Sequence, residues 1–297
     1  MLAQHSKWVP ILSLSTAMLL WASSFIALKI AFTGYSPMIV IWGRMLVGSF
    51  CFIFFYKQLR RVKFKKEDLK YLLFMGVCEP CIYFIFEAKA LQLTSASQAG
   101  LITAKLPLLV AFGARIFLKE IVSRQTLIGF MVAIIGACWL SLAGQSSADA
   151  PNPILGNFLE FLAMVAAAGY TLSLKHLTAH YSPLFLTAVQ SWMGAIFFAF
   201  FLISPETNIP YEFHMVPALA VIYLGSFVTL GAYLLYNFGV SLIPASQASA
   251  YVNLIPVFTV ILGFIILGER FTVSQYFASA LVLFGVYLSQ RRPRQLH

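Results

Sequence analysis

Residues 94–120, TSASQAGLITAKLPLLVAFGARIFLKE, return in altered form as residues 243–269, IPASQASAYVNLIPVFTVILGFIILGE. Ala96-Ser97-Gln98-Ala99, Pro107 and Glu120 recur as Ala245-Ser246-Gln247-Ala248, Pro256 and Glu269, each 149 positions later. An identical tetrapeptide, a proline and a terminal glutamate in one register make the chain two copies of one unit. A second pair agrees: Lys29 with Tyr35-Ser36-Pro37 returns as Lys175 with Tyr181-Ser182-Pro183, 146 positions on. The spacing divides the chain into a first repeat over 1–144, a polar linker over 145–153 and a second repeat over 154–297.

Composition sets the solvent. Apolar residue types make up 60% of the 297 residues and charged types 10%, whereas an ordinary soluble domain has about 45–50% and about 25%. Ten apolar runs are spaced along the chain, at 9–31, 37–56, 69–90, 95–117, 123–143, 154–176, 183–203, 214–238, 245–267 and 272–290. Each is long enough to approach or cross a hydrocarbon core of about 30 Å. None alternates like a barrel strand, and lipid offers the backbone no hydrogen bonds, so all ten read as helices. The expected fold is an all-α membrane protein of ten transmembrane helices in the cell (inner) membrane. The run beginning at Trp8 is longer than a signal-peptide core and reads as the first span.

A formal charge of +10 would suggest nucleic acid in a soluble protein. Here the basic residues cluster between apolar runs: Lys57, Arg60, Arg61, Lys63, Lys65, Lys66 and Lys70 in one connection, Arg115, Lys119 and Arg124 in another, and Arg291, Arg292 and Arg294 at the end. With ten crossings these all fall on one side with Lys7, the cytoplasmic side by the positive-inside rule. Asp149, Glu206 and Glu212 occupy the opposite loops. Both termini are then cytoplasmic. Five crossings per repeat is odd, so the second copy enters inverted, a plan that places a substrate site at the midplane between repeats.

Intramembrane charges are costly and mark candidate sites. Glu79 and Lys105 are each ten residues into their segments, roughly 15 Å deep at 1.5 Å per residue, and are expected to face one another or one cavity. Glu79 would bind a cationic group or carry a coupling proton; the bland reading of the pair is a register-fixing ion pair. Arg44, roughly 10 Å below the outer surface, suits a carboxylate or phosphate, or a pairing with Glu160 or Glu87. Glu79, Tyr83 and Glu87 share a helical stripe. Residues 44, 79, 87 and 105 map onto Gln190, Val228, Tyr236 and Leu254, so the second copy would contribute polar and aromatic neighbours such as Asn237, Tyr251 and Asn253. Gln98 and Gln247 lie on the repeated helices beside small-residue seams (Ser95, Ala99; Gly100, Ala104; Ala245, Ser249; Ser246, Ala250), where Pro107 and Pro256 would kink the backbone. Trp21 and Tyr170 complete the candidate substrate set.

Other chemistries are less well supported. Cys78-Glu79-Pro80-Cys81 has redox spacing, the mark of a membrane thiol oxidoreductase, but it sits within a helix. The five histidines form no zinc motif, and there is no nucleophile elbow or phosphate loop. No cofactor or metal is expected, and no nucleic acid partner.

The chain resembles the drug/metabolite transporter superfamily, specifically its ten-helix EamA-type family. The likeness rests on Trp21-Ala22-Ser23-Ser24-Phe25 with Lys29, Pro37 and Arg44; Glu79-Pro80 with Tyr83 and Glu87; Ala96-Ser97-Gln98-Ala99 to Glu120; and Ala245-Ser246-Gln247-Ala248 to Gly268-Glu269 with Gln275 and Gly285. It implies a multi-pass carrier of small metabolites, often an exporter of amino acids or related compounds. The expected mechanism is secondary-active alternating access about the midplane cavity, coupled to protons through Glu79 or working by exchange, in a monomer or homodimer. Lys105, Lys119 and Ala167 depart from the pattern. A lipid scramblase or flippase component is the alternative within membrane biology.

Overall fold

The computed structural model describes residues 8–63, 65–117, 124–143, 147–148, 150–203 and 212–290. Among them are helices at Trp8–Phe32 (α1), Pro37–Leu59 (α2), Lys66–Leu93 (α3), Ala96–Phe117 (α4), Arg124–Leu142 (α5), Pro153–Leu177 (α6), Pro183–Ile203 (α7), Met215–Leu242 (α8), Ala245–Leu267 (α9) and Val273–Gln290 (α10). Apart from an isolated bridge between Ser147 and Ala150, no extended pairing occurs among the described residues. All the helices but α5 and α10 are long and apolar enough to cross a membrane. Apolar stretches of those two, Met131–Leu140 and Val273–Gly285, are shorter than a full span. Among the described residues, eight helices thus have the length and composition of a crossing, against the ten expected. Leu118-Lys119-Glu120, Asp149, Glu206 and the arginines beyond residue 290 lie outside the described residues.

Helix neighbours repeat with the sequence. Equivalent helices pair across the molecule, α2 with α7, α4 with α9 and α5 with α10; α3 against α6 is matched by α8 against α1, and α4 against α6 by α9 against α1. Exchanging the first five helices for the last five returns these principal pairings.

The repeated motifs make these cross-connections. The Tyr35 hydroxyl accepts from the His214 amide at 3.1 Å and donates to its carbonyl at 3.2 Å. The Tyr181 hydroxyl accepts from the Lys65 amide at 3.1 Å and donates to Asp68 Oδ2 at 2.9 Å. Lys65 and His214 are themselves 149 positions apart, so each Tyr-Ser-Pro tyrosine grips the equivalent amide of the other copy. Lys175 has a similar task, donating to the Val240 and Ile243 carbonyls at 2.8 Å each, where the C-terminal end of α8 leaves carbonyls without helical partners.

The Gly268-Glu269 ending has the same cross-copy logic. Gly268 is left-handed, with φ 68°, a conformation that costs a side-chain-bearing residue roughly 1 kcal/mol. The turn lets the Glu269 carboxylate fold back onto the start of α4, accepting from the Ala96 and Ser97 amides at 2.9 Å each. An anion there meets unsatisfied N–H groups and the positive end of the helix dipole. Ser95 completes the cap, its Oγ accepting from the Gln98 amide at 3.2 Å. The glutamate that closes one copy thus caps the tetrapeptide that opens α4 in the other.

Candidate functional site

Four helices deform at one level. In α3 the backbone leaves helical geometry at Glu79 (φ −147°, ψ 115°), just before Pro80, which has no amide hydrogen to donate. The counterpart stretch of α8, Leu224–Ala232 around Val228, is widened to i→i+5 turns. In α4 and α9 the turns Thr103–Lys105 and Tyr251–Asn253 tighten shortly before Pro107 and Pro256. Each proline denies a bond to the carbonyl four residues back.

A cavity lies at this level between α1, α2, α3, α4, α6, α8 and α9, with an empty volume of about 490 Å³ including its mouth. The charged part of its wall comes from the first repeat. Arg44 is 1% exposed, Glu79 4% and Glu87 2%, and all three line the cavity with Tyr83. The Tyr83 hydroxyl donates to Glu87 Oε1 at 2.8 Å, realising the stripe of spacing four. Arg44 stacks over the Phe84 ring, 4.4 Å from its centroid, and donates from Nε to Thr229 Oγ1 at 3.2 Å. Its Nη1 has no hydrogen-bond partner, nor has Glu87 Oε2 or Trp21 Nε1.

The second repeat and α1 add an aromatic wall. Trp21 lies 4.7 Å from Tyr236 and 5.1 Å from Tyr233 between ring centroids, and Tyr170 stacks on Tyr236 at 6.4 Å. Tyr233 donates its hydroxyl to Glu79, and Tyr170 donates to Asn237. Asn237 in turn donates to Thr187 Oγ1 at 2.9 Å, and Thr171 and Tyr236 share a bond of 3.1 Å. A guanidinium, two carboxylates and a phenolic cage thus surround one volume, lined by buried side chains whose polar contacts are stronger than in bulk water.

Of the sequence candidates, the fold brings Arg44, Glu79, Tyr83, Trp21 and Tyr170 to the cavity. It does not bring Lys105. That side chain, 4% exposed, donates from Nζ to the Ala133 carbonyl of α5 at 2.7 Å. The expected meeting of Glu79 and Lys105 is therefore corrected: Lys105 leaves α4 on the side turned to α5. Gln98 is buried in a bridge in which its Oε1 accepts from Asn157 Nδ2 at 2.9 Å, while Thr94 Oγ1 donates to Asn157 Oδ1 at 2.9 Å. Gln247 is exposed. Asn253 donates to the Ala250 carbonyl at 3.0 Å within its own helix, and neither it nor the half-buried Tyr251 lines the cavity. Cys78 and Cys81 are buried and off the cavity wall.

Sequence reading passed over Tyr233, Thr103, Thr171 and Phe84. The available signal was Tyr233, Tyr236 and Asn237, at spacings three and one, a polar face on an otherwise apolar helix. Lys105 outside the cavity yields a first prediction. Removing a buried cation that has no carboxylate partner is neutral or favourable. Lys105→Met is expected to hold or raise the melting temperature in detergent and to leave transport within about twofold, under 0.5 kcal/mol; a large loss of transport with the fold intact would return Lys105 to the site.

A sequence profile described as the EamA-like transporter family matches this chain twice, at residues 8–142 and 154–290. The uncharacterized transporter YetK of Bacillus subtilis (strain 168) is 29% identical over 77% of this chain and 70% of its own length. An uncharacterized transporter of Archaeoglobus fulgidus is 27% identical over 96% and 99%. A probable terminal-alkyne amino-acid exporter of Streptantibioticus cattleyicolor is 24% identical over 96% and 93%. One solved crystal structure aligns over 96% of this chain and 97% of its own at 18% identity, with a TM-score of 0.68, which speaks for the fold.

Proposed function

Since this chain belongs to the EamA-like transporter family and is a multi-pass membrane protein, we propose that it is a secondary-active exporter of amino acids or closely related zwitterions. Two inverted five-helix repeats, with both termini cytoplasmic, would rock about the central cavity. The observation that carries this reading is the pairing of unmet needs on the cavity wall. Arg44 Nη1 and Trp21 Nε1 are donors without acceptors, and Glu87 Oε2 is an acceptor without a donor. Each buried, unsatisfied group costs about 1–3 kcal/mol. A ligand bearing a carboxylate and an ammonium group answers both kinds of need at once. The printed name of one relative, an amino-acid exporter, agrees with that chemistry and suggests the direction.

The test is exchange in proteoliposomes of the full chain, using labelled L-phenylalanine, L-leucine and L-lysine. Saturable exchange of at least one of them is expected. Phenethylamine and 3-phenylpropionate each lack one of the two charged groups and should compete about 10–100-fold more weakly than phenylalanine, the equivalent of one unsatisfied buried group. If neither analogue is weaker, two-point recognition is wrong; if none of the amino acids exchanges, so is the substrate class.

A further inference from the structure

Where α3 begins and α6 ends, polar side chains gather that the cavity does not use. The Tyr71 ring of α3 packs on the His176 ring of α6, 4.4 Å between centroids, and the Lys70 ammonium stands 5.0 Å from the Tyr71 centroid. The His180 ring follows, 6.1 Å from that of His176. Lys66, Lys70, Tyr71, His176 and His180 are all exposed. Of the two carboxylates in this stretch, Asp68 is buried and accepts from the Tyr181 hydroxyl, and Glu67 is the exposed one. Further along α3, Leu73, Phe74 and Val77 are exposed as well. With Lys70 they recur at spacings of three, four and seven, which is one helical face, and they extend it by about 10 Å.

The repeat supplies a comparison. Both copies have the tyrosine latch, Tyr181 on the Lys65 amide and Tyr35 on the His214 amide. The groups around the latch differ. Lys70 and Tyr71 map at the offset of 149 onto Leu219 and Ala220, and His176 and His180 map at 146 onto Ile30 and Gly34. A Cβ built at Gly34 would stand 2.7 Å from Pro217 Cγ and 3.0 Å from His214 Cβ, so that corner is closed where the other carries an imidazole. The latch therefore works without the lysine, the phenol or the imidazoles, and these serve something that the Tyr35 corner does not meet. Membrane topology alone does not require them in this arrangement, because it depends on how many Lys and Arg a loop carries. It does not ask that an ammonium, a phenol and two imidazoles be stacked above an apolar face.

We propose that this corner binds one anionic phospholipid, with its phosphate held by Lys70 Nζ and the His176 imidazole N–H and its acyl chains laid along Leu73, Phe74 and Val77. A phosphate oxygen accepts strong, charge-assisted bonds from such donors. The choline of a zwitterionic lipid would instead meet Lys66 and Lys70 as a like charge. On the proposed orientation the Tyr181 latch faces the cytoplasm and the Tyr35 latch the outside, and anionic lipid of the cytoplasmic leaflet attracts basic side chains at its surface. A soluble anion would satisfy the head of the site and leave the apolar face uncovered. The inference rests on the chain's place in a membrane and is independent of which solute it carries.

The experiment takes the purified full chain in detergent, adds palmitoyl-oleoyl phosphatidylglycerol or the phosphatidylcholine with the same chains, and counts retained lipid by native mass spectrometry. One phosphatidylglycerol is expected to be held about tenfold or more tightly than phosphatidylcholine. Lys70→Leu with His176→Ile writes the residues of the Tyr35 corner into this one and should remove that preference, about fivefold for each side chain. Arg60→Gln with Arg61→Gln takes two charges from the same basic connection outside the corner and should leave the preference within about twofold. Equal retention of the two lipids by the parent overturns the proposal. So does an equal loss in the Arg60 and Arg61 variant, the mark of diffuse attraction to a basic loop. Glycerol 1-phosphate that raises the melting temperature as much as phosphatidylglycerol overturns it too, since a free-anion site has no use for the apolar face. Both corner side chains are exposed, so the fold should survive their replacement; should the double variant not fold, Lys70→Gln alone carries the test.

Discussion

Replacing Arg44 by glutamine is expected to abolish exchange and to weaken the fold at the same time. The guanidinium is the cation of a buried set that includes Glu79 and Glu87, and it is held by its edge to Thr229 and by its face to Phe84. Taking one member from a buried charge set leaves the others uncompensated, at about 3–5 kcal/mol. The same substitution removes the free Nη1 that faces the cavity and with it the partner of a substrate carboxylate, a loss of about 100-fold or more in exchange, since an unpaired charge in a closed site costs about 3 kcal/mol. Arg44→Lys should restore part of the stability and little of the exchange. An ammonium is a point charge without the planar fork that stacks on Phe84 while reaching sideways to Thr229. Melting in detergent and proteoliposome exchange, measured on the same preparation, separate the two effects. If Arg44→Gln exchanged phenylalanine like the parent, the cavity would not be the substrate site.

The contrast between Arg44 and Lys105 marks where sequence reasoning reaches its end. Both were found by the same rule, that a charge deep in an apolar run has a function. Position along a helix follows from residue count at 1.5 Å per residue, but each residue also turns the side chain by about 100°. Which turn faces a cavity depends on neighbours that the linear sequence does not specify. Arg44 faces the cavity and Lys105 the Ala133 carbonyl. The duplicated motifs show a second kind of limit. Tyr-Ser-Pro and Gly-Glu were legible as repeats because two copies share a register. Their work was not, because each acts on a residue of the other copy, Tyr35 on His214 and Glu269 on Ala96. Tyr233 was missed for a chemical reason: a phenol in an apolar helix has the composition of packing, and its hydroxyl became informative when Glu79 was found beneath it.

The last prediction concerns scaffold rather than site. Helices α5 and α10 approach so closely that a Cβ built at Gly285 would stand 2.4 Å from the Ala133 nitrogen and 2.8 Å from both its Cα and the Gly129 carbonyl oxygen. A Cβ at Gly136 would stand 2.7 Å from the Val282 nitrogen. These are backbone atoms with no rotamer to change, so a side chain can be admitted only by moving a helix. In lipid that separation is costly, because apolar tails give helices no hydrophobic reason to stay together and close packing carries the association. Gly285→Val is therefore expected to cost about 3 kcal/mol or more. Gly231→Ala, whose added Cβ meets nothing nearer than 3.8 Å, should be neutral or gain a few tenths to about 1 kcal/mol of helix propensity. None of the cavity-lining residues belongs to α5 or α10. The Gly285→Val protein that survives purification should consequently melt early yet keep the parental ranking of phenylalanine over phenethylamine and phenylpropionate. A change in that ranking would mean that the α5–α10 pair shapes the cavity from a distance, and an unchanged melting temperature would mean that the two helices do not meet as closely as their glycines allow.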